Sequence, residues 1–169
     1  MSQNVLLINV AAIKARTGVH LNNDEKLIVP EIKAAQDVEI VSALGTRLFE
    51  RLQAGIREDN LTEKERTLLD DYITDALVYF TLSALPVATS FQFFTKGMLR
   101  NSNENSDMPS MSDLVELSKW YSNRGKYYRQ RLIRYIHVNR EHFPLYECNS
   151  DNDVNPSKTS YRLGMYLGD

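Results

Sequence analysis

Groups able to do acid–base, nucleophilic or metal chemistry are few in this chain and badly spaced for it. The histidines are His20, His137 and His142. The last two stand five residues apart, which on a helix separates them by about 140° and keeps them from sharing a metal. Glu141, His142 and Cys148 have the residue types of a metal site across a helix end, but a solvated histidine near a helix C-terminus is the plainer expectation. The carboxylates Glu63, Glu65, Asp70, Asp71 and Asp75 follow helix-surface spacing beside Lys64 and Arg66, which describes a solvated face and not two acids meeting in a cleft. The sequence has no Gly-rich phosphate loop, no G-x-S-x-G, no H-E-x-x-H and no paired cysteines. The expectation is a protein without an active site, a cofactor or a metal.

Recognition chemistry is concentrated in one place. From Lys119 to Arg140 there are seven Lys or Arg and no Asp or Glu, whereas acidic residues are in excess elsewhere. Residues 112–141 read as one long helix with two faces. Leu114, Leu117, Tyr121, Tyr128, Leu132, Tyr135 and Ile136 fall on a core-facing stripe at 100° per residue. Trp120, Arg124, Tyr127, Arg131 and Arg134 fall on another side. Trp, Tyr and Arg are the types enriched at the energetic centres of interfaces, so this second face predicts a contact with an acidic neighbouring subunit, the acidic region from Asp59 to Asp75 of another copy being the candidate complement. The same cations and aromatics also suit a nucleic-acid surface. A third expectation is an ordinary exposed helix with Trp120 and Tyr127 packed under Arg124 and Arg131.

Composition narrows these options. A chain of 169 residues makes one domain with a core that needs no disulfide. A net charge of -2 gives no global pull toward polyanions. With Cys148 alone, no intrachain disulfide forms and a reducing compartment is expected. The N-terminus lacks the basic region and cleavage site of a signal peptide. The apolar tract at 73–94 is interrupted by Asp75, Pro86 and several Ser and Thr, so no membrane partner is expected.

The elements that must carry the long helix follow from periodicity and punctuation. A short helix is expected at 9–17, with Gly18 ending it in the left-handed conformation. A second runs through Leu27, Ile28, Ile32, Ala35 and Leu44 to Gly45, with Pro30 in its first turn or kinking it there. Thr46 is expected to cap a third, with Leu48, Phe49 and Leu52 inward and Gly55 as its stop. Thr62 and Glu65 form a capping box opening a fourth, which turns apolar on nearly all sides between Ala76 and Leu85 and ends at Pro86. Phe91, Phe93 and Phe94 lie in a short extended or β element around residues 90–100, within a segment at 87–109 that joins the helices. Ser110 or Ser112 caps the long helix, which stops before Pro144. Residues 149–169 form an arm-like tail whose Tyr161, Tyr166 and Leu167 would dock outside the chain's own core, the alternative being a disordered terminus. The fold class is mainly α, a helical bundle over residues 1–148 with one long C-terminal helix.

In order and character these segments resemble the head-tail connector proteins of tailed bacteriophages, also called adaptor or head-completion proteins, including ring proteins of crAss-like phages. The likeness is carried by IKARTGV, by PEIKAAQDVEIVSALGTRLFERLQ, by the capping-box helix LTEKERTLLDDYITDALVYFTLSALP, by FQFFTKGMLR and by the long helix ending in HFPLYEC. It implies a virion protein made in the bacterial host cytoplasm and placed at the head-tail junction. It implies a homo-oligomeric ring, dodecameric, that binds the portal and further tail or connector proteins, lines the DNA channel without sequence specificity and takes part in genome ejection. It implies no enzyme activity. A helical DNA-binding or regulatory protein using residues 119–140 is the alternative.

Overall fold

The computed structural model describes residues 5–18, 25–94, 97–100, 110–147 and 154–157. The architecture is mainly α-helical. Asn9 caps α1 (Val10–Arg16) by accepting from the Ala12 N–H, and the helix ends at Thr17 in extended backbone. Gly18 does not take the left-handed conformation expected of it; among the described residues only Gly45 and Asp59 have positive φ.

Two long helices each contain a π turn. The first runs as α2 (Glu25–Ala35), a π turn (Gln36–Ile40) and α3 (Val41–Leu44). The second runs as α5 (Glu63–Thr67), a π turn (Leu68–Ile73) and α6 (Thr74–Ser90). Each π turn inserts a residue and rotates the following face by roughly 100°. In the second, the Leu69 carbonyl accepts from both the N–H and the hydroxyl of Thr74. Pro30 sits inside α2 and Pro86 inside α6, so neither marks the boundary its lack of an N–H suggested. Beyond Pro86 the hydroxyls of Thr89 and Ser90 bond back to the Leu85 and Pro86 carbonyls, which keeps the last turn closed.

Between these lies α4 (Thr46–Glu58). Its cap position is Gly45, and Thr46 supplies no cap; its hydroxyl is buried without a partner. Gly55 lies inside α4 because Leu61 packs where a side chain would stand, and Asp59 in the left-handed region ends the helix instead. The Thr62–Glu65 capping box forms, and Arg51 joins it by a 2.9 Å bond to the Glu65 carboxylate.

Residues Phe91–Phe94 (β1) and Gly97–Arg100 (β2) pair antiparallel, Phe91 opposite Arg100. The long helix α7 (Met111–Val138) opens on a second capping box, Ser110 with Asp113, and closes through two 3₁₀ turns, Arg140–His142 and Pro144–Tyr146.

The core centres on α6. Leu77, Phe80, Thr81 and Leu85 are buried on it, α7 packs antiparallel along one side with Leu132, Ile133 and Ile136, and α2 covers another with Ile28 and Ile32. Each such apolar side chain contributes about 1.5–3 kcal/mol on burial. Glu63–Ser90 is long and apolar enough to cross a membrane, yet half of its apolar window is buried among neighbouring helices.

Candidate interaction surface

The position of α7 is set by one close approach. A Cβ built on Gly125 would lie 2.8 Å from the Phe80 ring, so α6 and α7 touch here through a glycine. To one side of that crossing, toward the C-terminal end of α7, two helix-to-helix tyrosine pairs hold the register. Tyr79 stacks on Tyr128 at 5.1 Å between centroids, and Tyr72 stacks on Tyr135 at 4.3 Å. Burial raises the hydroxyl pKa of Tyr128 and of Tyr135 above the ordinary tyrosine value, with the neighbouring tyrosine as a lesser cause.

Arginines lie on this ladder. The Arg124 guanidinium sits 3.5 Å from the Trp120 ring centre and 5.9 Å from that of Tyr79. The Arg131 guanidinium lies 5.5 Å from Tyr72 and 5.6 Å from Tyr128. Trp120 thus packs under Arg124 as the spacing suggested, whereas Arg131 rests on Tyr72 and Tyr128 and not on Tyr127. Tyr127 makes an edge contact with Tyr128 and is 63% exposed; Trp120 is 48% exposed. Arg124, Arg131 and Arg134 are exposed as well.

Two assignments on α7 change. Leu117 was expected in the core stripe and is exposed. Arg129, one of the seven cations, turns to the other side, where it bonds to the Glu39 carbonyl and the Ser42 hydroxyl. Sequence reasoning missed Tyr79, which with Tyr72 completes the surface from outside α7. The signal was obscured by the π turn ahead of Tyr79, which shifts its helix phase relative to residues 63–67.

The acidic stretch at 59–75 was the expected complement of the basic face in a neighbouring copy. In the structure Tyr72 belongs to both, and Asp71 and Glu63 act electrostatically on Tyr135, so the acidic strip borders the arginine face. Asp75 is bonded to Arg16 at 2.5 Å and Asp59 is 3.7 Å from Arg66.

His142 lies 3.3 Å from Glu141 at the exposed end of α7. Among the described residues no three His, Cys, Asp or Glu come together as a metal site, and Cys148 lies outside them. The backbone of Phe91, Phe93 and Phe94 is in β1, but their side chains are outside the described part; Tyr161, Tyr166 and Leu167 lie outside the described residues altogether. Of the tail, residues 154–157 are described. The Val154 carbonyl accepts from the Thr46 N–H, the Ser157 N–H donates to the Ser42 carbonyl, and Pro156 rests against Gly45.

A protein-family model matches residues 40–156, well over half of the chain. The chain belongs to the Family of unknown function (DUF6712). The DUF6712 region begins at the end of the first π turn and contains the α6–α7 pair, the tyrosine ladder and α7 entire. Its two ends meet in space, since Ser42 and Thr46 pair with residues 154–157. Helices α1 and α2 precede it. No curated protein and no solved structure matches the chain.

Proposed function

We propose that this DUF6712 protein is a structural subunit of a tailed-phage head-tail connector, an adaptor that joins copies of itself and the portal into a ring through which the genome passes. The observation that carries the reading is the α7 face, where Trp120 and Tyr127 are exposed beside Arg124 and Arg131, and the arginines are held by aromatic rings. A surface of exposed rings and preordered guanidinium groups is what an interface centre requires before its partner arrives. The phage setting is supported by the sequence resemblance alone. In this reading the protein carries out no chemistry; it transmits and encloses. The rival DNA-binding reading is weakened by Arg129, which is committed to Glu39 and Ser42 and does not join a continuous basic stripe.

The test is sedimentation of the wild type and of R124E/R131E. The account expects a multi-subunit species for the wild type and a folded monomer for the variant. Assembly of the variant to the same species would remove the α7 face from the interface.

A further inference from the structure

The exposed residues of α7 follow a seam. Leu117, Arg124, Arg131 and Val138 are seven apart, and Trp120, Tyr127 and Arg134 fall between them, so that steps of three and four alternate over three heptads. All seven are exposed. Such 3–4 spacing is the a and d pattern by which one helix lies along another, and here it extends ~32 Å at ~1.5 Å per residue. Two open hollows lie end to end beside it and share Tyr127. One, of about 490 Å³, is walled by Tyr79, Trp120 and Arg124; the other, of about 340 Å³, by Tyr72, Arg131 and Val138. These are the kind of recess that knobs from a second helix enter.

The chemistry of the occupant follows from the guanidinium groups. Arg124 lies over the Trp120 ring and Arg131 beside the Tyr72 and Tyr128 rings, and both are exposed, so their N–H groups remain open to an acceptor. Among the described residues, Arg124, Arg131 and Arg134 have no carboxylate or carbonyl partner, in contrast to Arg129, Arg51 and Arg16 on the same chain. Planar donor edges at fixed spacing suit carboxylates, while Leu117, Trp120, Tyr127 and Val138 between and beyond them suit apolar side chains.

We infer that this seam receives an acidic amphipathic α-helix from another chain, laid along α7 with its carboxylates on Arg124, Arg131 and Arg134 and its apolar residues on Trp120 and Tyr127. A second α7 does not fit, because it would bring the same cations against these, with no Asp or Glu from 119 to 140 to offset them. A DNA duplex would meet the arginines but leave the four apolar residues of the seam uncovered. The inference rests on reading this face as a contact surface, and it requires neither the ring nor the virion.

Trp120 is the sole tryptophan and stands in the seam, so it reports occupancy directly. The experiment titrates dilute full-length protein with a synthetic 28-residue helix bearing Leu and Glu at alternating three- and four-residue spacing, and follows Trp120 emission. Controls are the same peptide with Lys for Glu, and a 20-base-pair duplex as competitor. The expected result is a blue shift that saturates with the acidic peptide, with affinity weakened at least tenfold in R124E/R131E. The variant R134E, whose guanidinium stacks on no described ring, should lose binding similarly with its melting curve unchanged. The inference is overturned if Trp120 emission does not move with the acidic peptide, if the Lys peptide binds equally, or if the duplex displaces the helix. Peptide binding by a protein that never assembles would retire the ring and keep the seam; assembly by a protein that ignores the peptide would do the reverse.

Discussion

Replacing Gly125 with alanine tests the contact that places α7. In an isolated helix this change stabilises by about 1 kcal/mol, because glycine has the larger conformational freedom to lose. Here the added Cβ would meet the Phe80 ring at 2.8 Å, and Phe80 is 4% exposed, so the ring has little room to withdraw. Inserting a methyl group into a packed core costs about 1–3 kcal/mol. The net expectation is a loss of roughly 1 kcal/mol for G125A, a fall in Tm of about 2–4 °C for a chain of this size. The sign should invert when the obstacle is reduced. In a Phe80→Leu background the same substitution should stabilise by several tenths of a kcal/mol, since the propensity gain remains and the clash does not. Urea unfolding of the four proteins of this cycle, followed by circular dichroism, measures the coupling. Stabilisation by G125A in the wild-type background would refute the close approach and, with it, the register that aligns Tyr72 with Tyr135 and Tyr79 with Tyr128.

Other outcomes follow from single contacts. The fully buried Gln36 accepts from the Leu7 N–H and, with Gln53, donates to the Val5 carbonyl, so Q36A should cost about 1–3 kcal/mol and abolish hydrogen-exchange protection at Leu7 before that of α6. Thr81 is completely buried with its hydroxyl unpartnered, and T81V should raise stability by about 1 kcal/mol in thermal unfolding. The Asp113 carboxyl is held below the usual aspartate value, chiefly by the Ser110 hydroxyl, so the capping box of α7 is complete above pH 3.8 and is lost as the pH falls through the depressed value; carboxyl NMR titration should show that value rise in S110A. Burial raises the pKa of Tyr128, Tyr135 and Tyr146 above 10.0, so these groups favour the folded state below pH 10 and cease to do so as the pH climbs through their folded values; phenolate absorbance of the native protein should lag that of the unfolded chain.

Where local chemistry alone decides the outcome, the sequence was legible. The capping box at Thr62–Glu65, the Asn9 cap, the all-round apolar character of α6 and the exposed set Trp120, Arg124, Tyr127, Arg131 and Arg134 are all matters of spacing within a turn or two; at the start of α7 the choice between Ser110 and Ser112 fell to Ser110, which forms a box with Asp113. The punctuation by Pro30, Gly55 and Pro86 was misleading because tertiary packing overrides a breaker. Leu61 fills the space over Gly55, and the turn past Pro86 is held closed by the Thr89 and Ser90 hydroxyls on the Leu85 and Pro86 carbonyls. The π turns at 36–40 and 68–73 were illegible, since a single inserted residue leaves no compositional trace but rotates everything after it. Tyr79 escaped notice for that reason, and so did the adjacency of the acidic strip and the arginine face. Leu117 looked like core by its angle, but it is exposed, one turn from Trp120 on the same side of α7.

The central claim, that this chain works by joining others, is tested most directly by native mass spectrometry of the full-length protein over a range of concentration and salt. The account predicts one closed multi-subunit stoichiometry that gives way to subunits when R124E/R131E is introduced. A 19.4 kDa monomer under every condition, with and without portal protein, would contradict it.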